Sequence, residues 1–447
     1  MTSFIFTSGT SAPQTLVGGE LGIIGAAATV SDASGGGAIV GVAAAGQPLD
    51  LIVHGQVYSL SATAIGFGGG LQSITIGATG IVSAAGAGAV NYSGIFMSPS
   101  DSGSSLVNFG QIIGNSRGIS IQGGATTPFV LVQNAGTVTA DGIALALANP
   151  GSARIDNSGS MIGQEYGLYS GQSYAVELAN TGLIRGRIEA LHLGNQADTV
   201  RNEGRIEGLV LLGAGDDRFD TRGGVVIGDI LGGDGNDIFL GDAATAETFD
   251  GGIGSDTVDF RYGPAVTVAL DGSLENDGGA LGDIYLDVER VIGSLRADVI
   301  RGNAQANQLL GQAGADSLDG AGGADLLRGG QGLDTLTGGL GNDSFRFQSL
   351  AEFGDQITDF GSGAGNDDRF QILASALDAG LSAGALAASQ FRSRADNLAQ
   401  DADDRFIFRT TDRTLWFDAD GNGADAAVLV ADLQAGAVVT LADIVLI

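Results

Sequence analysis

The sequence predicts an all-β chain made by stacking repeats. A parallel β-solenoid (β-helix) is expected over residues 1–190, a tighter stacked region over 191–346, and a β-rich cap over 347–447. Three observations predict this. An Asn-x-Gly unit between short apolar runs recurs every 22–26 residues in the first part. A nine-residue Gly/Asp pattern recurs in the middle. The charge is split: residues 1–155 hold five acids and two bases, and the remaining 292 hold 46 and 18. Repetition at fixed periods is the mark of solenoid architectures, in which each repeat buries its apolar face against its neighbours.

The solenoid rests on Asn108–Gly110, Asn134–Gly136, Asn157–Gly159, Asn180–Gly182 and Asn202–Gly204, with weaker copies centred on Gly55 and Gly80. Apolar and β-branched runs such as Phe129–Val132 and Thr137–Thr139 flank them. One period makes a coil of two or three short strands, and Asn-x-Gly turns the corner, since both residues tolerate left-handed backbone angles. Stacked coils place Asn over Asn and aliphatic over aliphatic. This resembles the parallel β-helix of secreted bacterial surface proteins.

Six nonapeptides then run without a gap from Gly293 to Arg346, starting at Gly293, Gly302, Gly311, Gly320, Gly329 and Gly338. Their sixth residues are Asp298, Asn307, Asp316, Asp325, Asp334 and Asp343. Their eighth residues, Ile300, Leu309, Leu318, Leu327, Leu336 and Phe345, are expected to point inward. Earlier copies are Leu212–Asp220, Gly232–Leu240 and Gly251–Asp259, with Asp217, Asp237 and Asp256 at position six. Degenerate copies carry Asp198 and Glu247. A non-repeat spacer occupies 260–292.

The nonapeptides resemble the G-G-x-G-x-D-x-U-x pattern of RTX (hemolysin-type) calcium-binding proteins. The resemblance implies a parallel β-roll holding several Ca2+ ions. Calcium takes six to eight oxygens from carboxylates and backbone carbonyls. A Gly-rich half-turn offers the carbonyls, and the Asp offers the carboxylate. In that family the position-six Asp residues of stacked repeats share an ion, which pairs Asp316 with Asp334 and Asp325 with Asp343. The best sites are expected where the first and fourth positions are both Gly: Gly311 with Gly314, Gly320 with Gly323, Gly329 with Gly332, and Gly338 with Gly341. Arg296 and Gln305 occupy the fourth position of the first two repeats, which weakens the sites at Asp298 and Asn307. The resemblance also implies a secreted protein that folds in extracellular calcium. The route would be a type I secretion apparatus reading an uncleaved C-terminal signal, of which Asp443–Ile447 looks like the end.

Composition excludes much else. The chain has 447 residues, 77 Gly, no Cys, two His and a net charge of −31, and all twenty bases are Arg. There is no thiolate chemistry, no Lys Schiff base and no HExxH protease. So acidic a chain repels nucleic acid. No apolar run reaches the roughly 18–20 residues of a membrane helix, so no membrane insertion is expected. After the repeats, Asp355–Phe360, Asp368–Leu373, Arg405–Phe408, Thr414–Phe417 and Val428–Val430 read as strands of the cap. Asp418–Gly423 matches the start of an EF-hand loop, but Leu429 stands where a bidentate Glu is needed, so a hairpin turn is the better reading. The expected function is that of a non-enzymatic, calcium-locked structural protein that forms homo-oligomers or polymers at the cell surface, as a surface-layer, filament, matrix or adhesin component. The alternative is a β-helix that binds or modifies polysaccharide, with Tyr166, Tyr169 and Arg185 able to line a glycan groove.

Overall fold

The computed structural model describes the chain apart from residues 1–3, 34–35, 86–91, 124–128, 149–150, 172–173, 242–244, 364–365 and 378. Part of the degenerate copy at 242–250 therefore lies outside the described residues. Among those described, helix is confined to four single 3-10 turns, and the rest of the regular structure is strand. The chain divides into two compact units. One comprises Met1–Leu240 and Glu247–Gly254; the other comprises Gly241–Ala246 and Ser255–Ile447. This division does not coincide with the boundaries at 190 and 346 read from the sequence.

In the first unit the coils stack parallel and in register. Strands Ser104–Asn108, Val130–Asn134, Gly151–Asn157, Tyr174–Asn180 and Thr199–Asn202 form one column. Gln111–Gly114, Thr137–Ala140 and Ser160–Gly163 form a second. Ser93–Ser98, Arg117–Gln122, Ile143–Ala148 and Tyr166–Ser170 form a third. Each coil thus has three strands. Alternation along a strand sends one residue in two to the core, and the register stacks these inward residues as Leu106, Val132, Ile155, Leu178, Val200, Phe219 and Phe239. All seven are essentially inaccessible to solvent.

Asn residues form a continuous buried ladder. The Nδ2 of Asn108, Asn134, Asn157 and Asn180 each donates to the Oδ1 of the next Asn, at 2.7 Å throughout. Thr221 Oγ1 ends the run by accepting from Asn202 at 3.3 Å. The glycines of these corners have a different role from the one expected. None of Gly110, Gly136, Gly159, Gly182 and Gly204 has a positive φ, and neither does any described Asn. They are required by close approach: a Cβ at Gly159 would collide with Gly136 O, and one at Gly182 with Gly159 O.

Residues 193–240 of the same unit make hybrid coils. One side of each is a nonapeptide half-turn (193–201, 212–220, 232–240), and the other side continues the solenoid through strands Arg205–Ala214 and Val225–Ile227.

The second unit is a roll of two parallel faces. One face stacks Arg290–Ile292, Gln308–Ala313, Leu326–Gln331, Ser344–Phe347, Arg369–Ile372 and Ile444–Leu446. The other stacks Val266–Ala269, Val299–Arg301, Ser317–Asp319, Thr335–Thr337, Asp355–Ile357 and Val428–Leu433. The spacer therefore supplies a strand to each face. Every position-eight residue expected to point inward is fully buried. Fully burying a Leu or Ile side chain stabilises by about 1.5–3 kcal/mol. Beyond Val428–Leu433 the sheet turns antiparallel through Thr414–Phe417 and Phe406–Arg409. Asp418–Gly423 lies in that hairpin connection, and Leu429 pairs with Trp416 rather than facing the loop. The terminal Ile444–Leu446 is a packed strand, with Ile444 and Leu446 buried.

Candidate metal centre

The period of eighteen residues, two nonapeptides, brings each position-six Asp over the one in the next coil. In the second unit this produces two ladders. In one, the backbone N–H of Val266 donates to Asp298 Oδ1, Asp298 N–H to Asp316, Asp316 N–H to Asp334, and Asp334 N–H to Asp355, at 2.8–3.1 Å. In the other, Asn307 N–H donates to Asp325 Oδ1, Asp325 N–H to Asp343, and Asp343 N–H to Asp368, at 2.7–2.9 Å. The expected pairs Asp316–Asp334 and Asp325–Asp343 are neighbours in these ladders. The first unit holds a one-sided version: Val176 N–H to Asp198, Asp198 N–H to Asp217, and Asp217 N–H to Asp237. At Asp256 the donor role is kept, but Glu289 Oε2 replaces an Asp as acceptor, at 2.8 Å.

Each ladder bond uses one carboxylate oxygen. The second, Oδ2, is buried and accepts no hydrogen bond in Asp217, Asp316, Asp325, Asp334, Asp343 and Asp355. A buried ionised oxygen without a partner is costly. Burial, aided by the neighbouring Asp carboxylates, pushes Asp316 and Asp325 up to about 7 and Asp355 up to about 8. Burial likewise raises Asp334 and Asp343.

The orphan oxygens face a cradle. A Cβ at Gly311 would collide with Asp316 Oδ2 and lie 2.6 Å from Gly329 O. A Cβ at Gly320 would collide with Asp325 Oδ2 and lie 2.5 Å from Gly338 O. At Gly329 and Gly338 it would collide with, or lie 2.5 Å from, the Oδ2 of Asp334 and Asp343. Glycine at position one keeps this oxygen-lined space open. At position four, Gly314, Gly323, Gly332 and Gly341 all have positive φ, which turns the loop and lets its carbonyls stack closely coil over coil. Among the described residues no three His, Cys, Asp or Glu side chains come together as a metal cluster. A cation here would take a minority of its oxygens from carboxylates and the rest from carbonyls. The donor set, oxygen only and part anionic, fits a hard divalent ion such as Ca2+.

The first two nonapeptides differ, in line with their irregular sequences. Both oxygens of Asp298 are taken: Ser294 N–H donates at 2.6 Å to Oδ2 and Ser294 Oγ at 2.9 Å to Oδ1. Asn307 accepts from Asn303 N–H and leaves a buried Nδ2 without an acceptor.

Sequence reasoning named Asp316, Asp325, Asp334 and Asp343 but not Asp355 and Asp368, which complete the ladders at irregular steps of 21 and 25 residues. It also held that no Gly-x-Ser-x-Gly string occurs, yet Gly114–Gly118 (GNSRG) and Gly380–Gly384 (GLSAG) both have that form of a nucleophile elbow. The first joins strands Gln111–Gly114 and Arg117–Gln122 and the second leads into the two-residue strand Gly384–Ala385, so neither opens a helix.

A family model for the RTX calcium-binding nonapeptide repeat (four copies) matches residues 292–327 and 319–346. A search of curated proteins returned no match to this chain. With an unbroken nonapeptide frame, Asp ladders and glycine cradles, residues 292–346 are RTX calcium-binding nonapeptide repeats carried on a parallel β-roll.

Proposed function

We propose that the protein is an extracellular structural protein whose roll binds several calcium ions, folds as they bind and then self-assembles. The observation that carries this reading is the set of buried Oδ2 atoms of Asp316, Asp325, Asp334 and Asp343, each facing a glycine cradle. Bound ions relieve the charge that burial penalises, so folding is coupled to the metal. Extracellular calcium modules of this kind bind at about 10⁻⁴–10⁻³ M. Cytosolic calcium is far lower, so the roll stays open during export by a type I secretion apparatus and closes outside. The trusted ligands are Asp316, Asp325, Asp334 and Asp343 with the carbonyls of their loops. Asp217, Asp237 and Asp256 supply further ligands in the hybrid coils and at the start of the second unit. The role is non-enzymatic, and the assembled form is a homo-oligomer or polymer.

The acidic roll and the nearly neutral solenoid support assembly at a surface rather than nucleic-acid binding. No described helix is long and apolar enough to cross a membrane. The test is a calcium titration followed by circular dichroism, with negative-stain imaging of the end point. Calcium-induced strand content followed by ordered particles is expected. A species that stays strictly monomeric in millimolar calcium rules out the assembly role, and strand content indifferent to calcium rules out the metal-coupled folding.

A further inference from the structure

On the outer face of the solenoid, two neighbouring positions run as columns from coil to coil, held by Ser93 and Phe96 and then by Arg117 and Ser120 in the earlier coils. In the coil of strand Ile143–Ala148 they are Ile143 and Ala146, and in that of Arg205–Ala214 they are Leu209 and Leu211. In the two coils between, the same register places Tyr166 over Glu189 and Tyr169 over His192. Four chemistry-bearing side chains therefore make one two-by-two patch, and one of only two histidines in the chain lies in it.

The patch is ordered. Tyr169 and His192 stack with centroids 4.6 Å apart and planes 11° from parallel. Tyr166 stands edge-on to both, at 72° to Tyr169 and 81° to His192, with centroids at 5.3 and 6.0 Å. Glu189 Oε2 sits 2.6 Å from His192 Nδ1, which fixes the imidazole through that nitrogen. Register irregularities flank Glu189, between Arg185 and Glu189 and again between Glu189 and Leu191. Such bulges re-aim side chains and concentrate beside functional sites. All four residues are partly exposed.

We propose that this patch binds a neutral polysaccharide along the solenoid face. A sugar ring has an apolar C–H face and a rim of hydroxyls. The Tyr rings offer apolar surface with a polar tip, while Glu189, His192 Nε2 and the phenol oxygens offer hydrogen-bond partners for the rim. Two chemistries that use similar residues fit less well. A quaternary ammonium needs rings spread around it, and stacking at 4.6 Å leaves no room between Tyr169 and His192. An anionic polymer would meet Glu189, nearby Glu165 and a chain of net charge −31. The patch is open rather than enclosed, which suits a stretch of a long chain better than a small molecule.

The proposal does not depend on the calcium or assembly reading, because its residues lie in the solenoid and its readout is binding. The test uses the full chain in millimolar calcium and calorimetric titration with neutral oligosaccharides (β-glucan, mannan and galactan fragments of four to six units), oligogalacturonate and choline. Binding of at least one neutral fragment is expected. Tyr169→Ala and His192→Ala should each weaken it at least about tenfold, while Tyr169→Phe, which keeps the stack, retains it. Circular dichroism of each variant checks that the coils persist. The proposal is overturned if no neutral fragment binds the folded chain, if only choline or oligogalacturonate binds, or if Tyr169→Ala folds and binds like the parent.

Discussion

The solenoid and the roll tie one coil to the next by the same device and with opposite consequences. Each carries buried ladders of short polar side chains, one in the solenoid and two in the roll, with one rung per coil in each. In the solenoid the rung is Asn, whose amide donates upward and accepts from below, and its second N–H reaches a backbone carbonyl, so Asn108 through Asn202 are linked without any ion. In the roll the rung is Asp. It can only accept when ionised; one oxygen takes the neighbouring backbone N–H and the other is left over. The difference of one atom, nitrogen for oxygen, makes one ladder self-sufficient and the other dependent on a cation or a proton.

The largest expected effect separates these two partners of the Asp ladder. Asp316 and Asp325 are raised by burial to about 7, well above their unfolded value. In metal-free protein that difference stabilises the roll fully at acid pH, and the stabilisation is lost as the pH rises through about 7. With a chelator present, the roll should unfold more readily at pH 8 than at pH 5, as read by denaturant midpoints. With calcium bound the carboxylates are ionised in the fold, so the sign reverses and affinity falls on acidification. A chelated roll that is more stable at pH 8 would break the comparison.

Moving the acid into the neutral ladder comes next. Asn157→Asp removes the donor to Asn180 Oδ1 and sets two oxygens face to face, which should cost about 3 kcal/mol at neutral pH, measurable by thermal or urea unfolding of the solenoid. The reverse exchange, Asp325→Asn together with Asp343→Asn, should raise the calcium midpoint of folding about tenfold, or about 1.4 kcal/mol. It should also make the chelated roll more stable. An unchanged calcium titration would remove these two residues from the ligand set. The smallest effect concerns the loops: Ala321 has a φ of 69° without being Gly. Ala321→Gly should add less than about 1 kcal/mol, the relief of a left-handed Ala offset by the flexibility of Gly.

Much of this was legible because repetition converts sequence into register. The position-eight residues announced the roll core, and the eighteen-residue period announced the Asp ladders. Asp355 and Asp368 escaped because inserted loops stretch their steps to 21 and 25, and Glu289 escaped because the spacer resets the frame. The corner glycines were recognised for the wrong physical reason: close coil contact, not backbone handedness, demands them. Tyr166 and His192 looked unrelated in sequence. Yet the step of 23 residues from Asn157 to Asn180 also carries Tyr166 to Glu189 and Tyr169 to His192, so the period held the signal.

Hydrogen–deuterium exchange of the full chain at neutral pH, in millimolar calcium and in chelator, tests the central claim most directly. Chelation should strip protection from Gln308–Ala313 and Leu326–Gln331 while leaving Val130–Asn134 and Gly151–Asn157 protected. Equal protection of the roll strands in both conditions would contradict it.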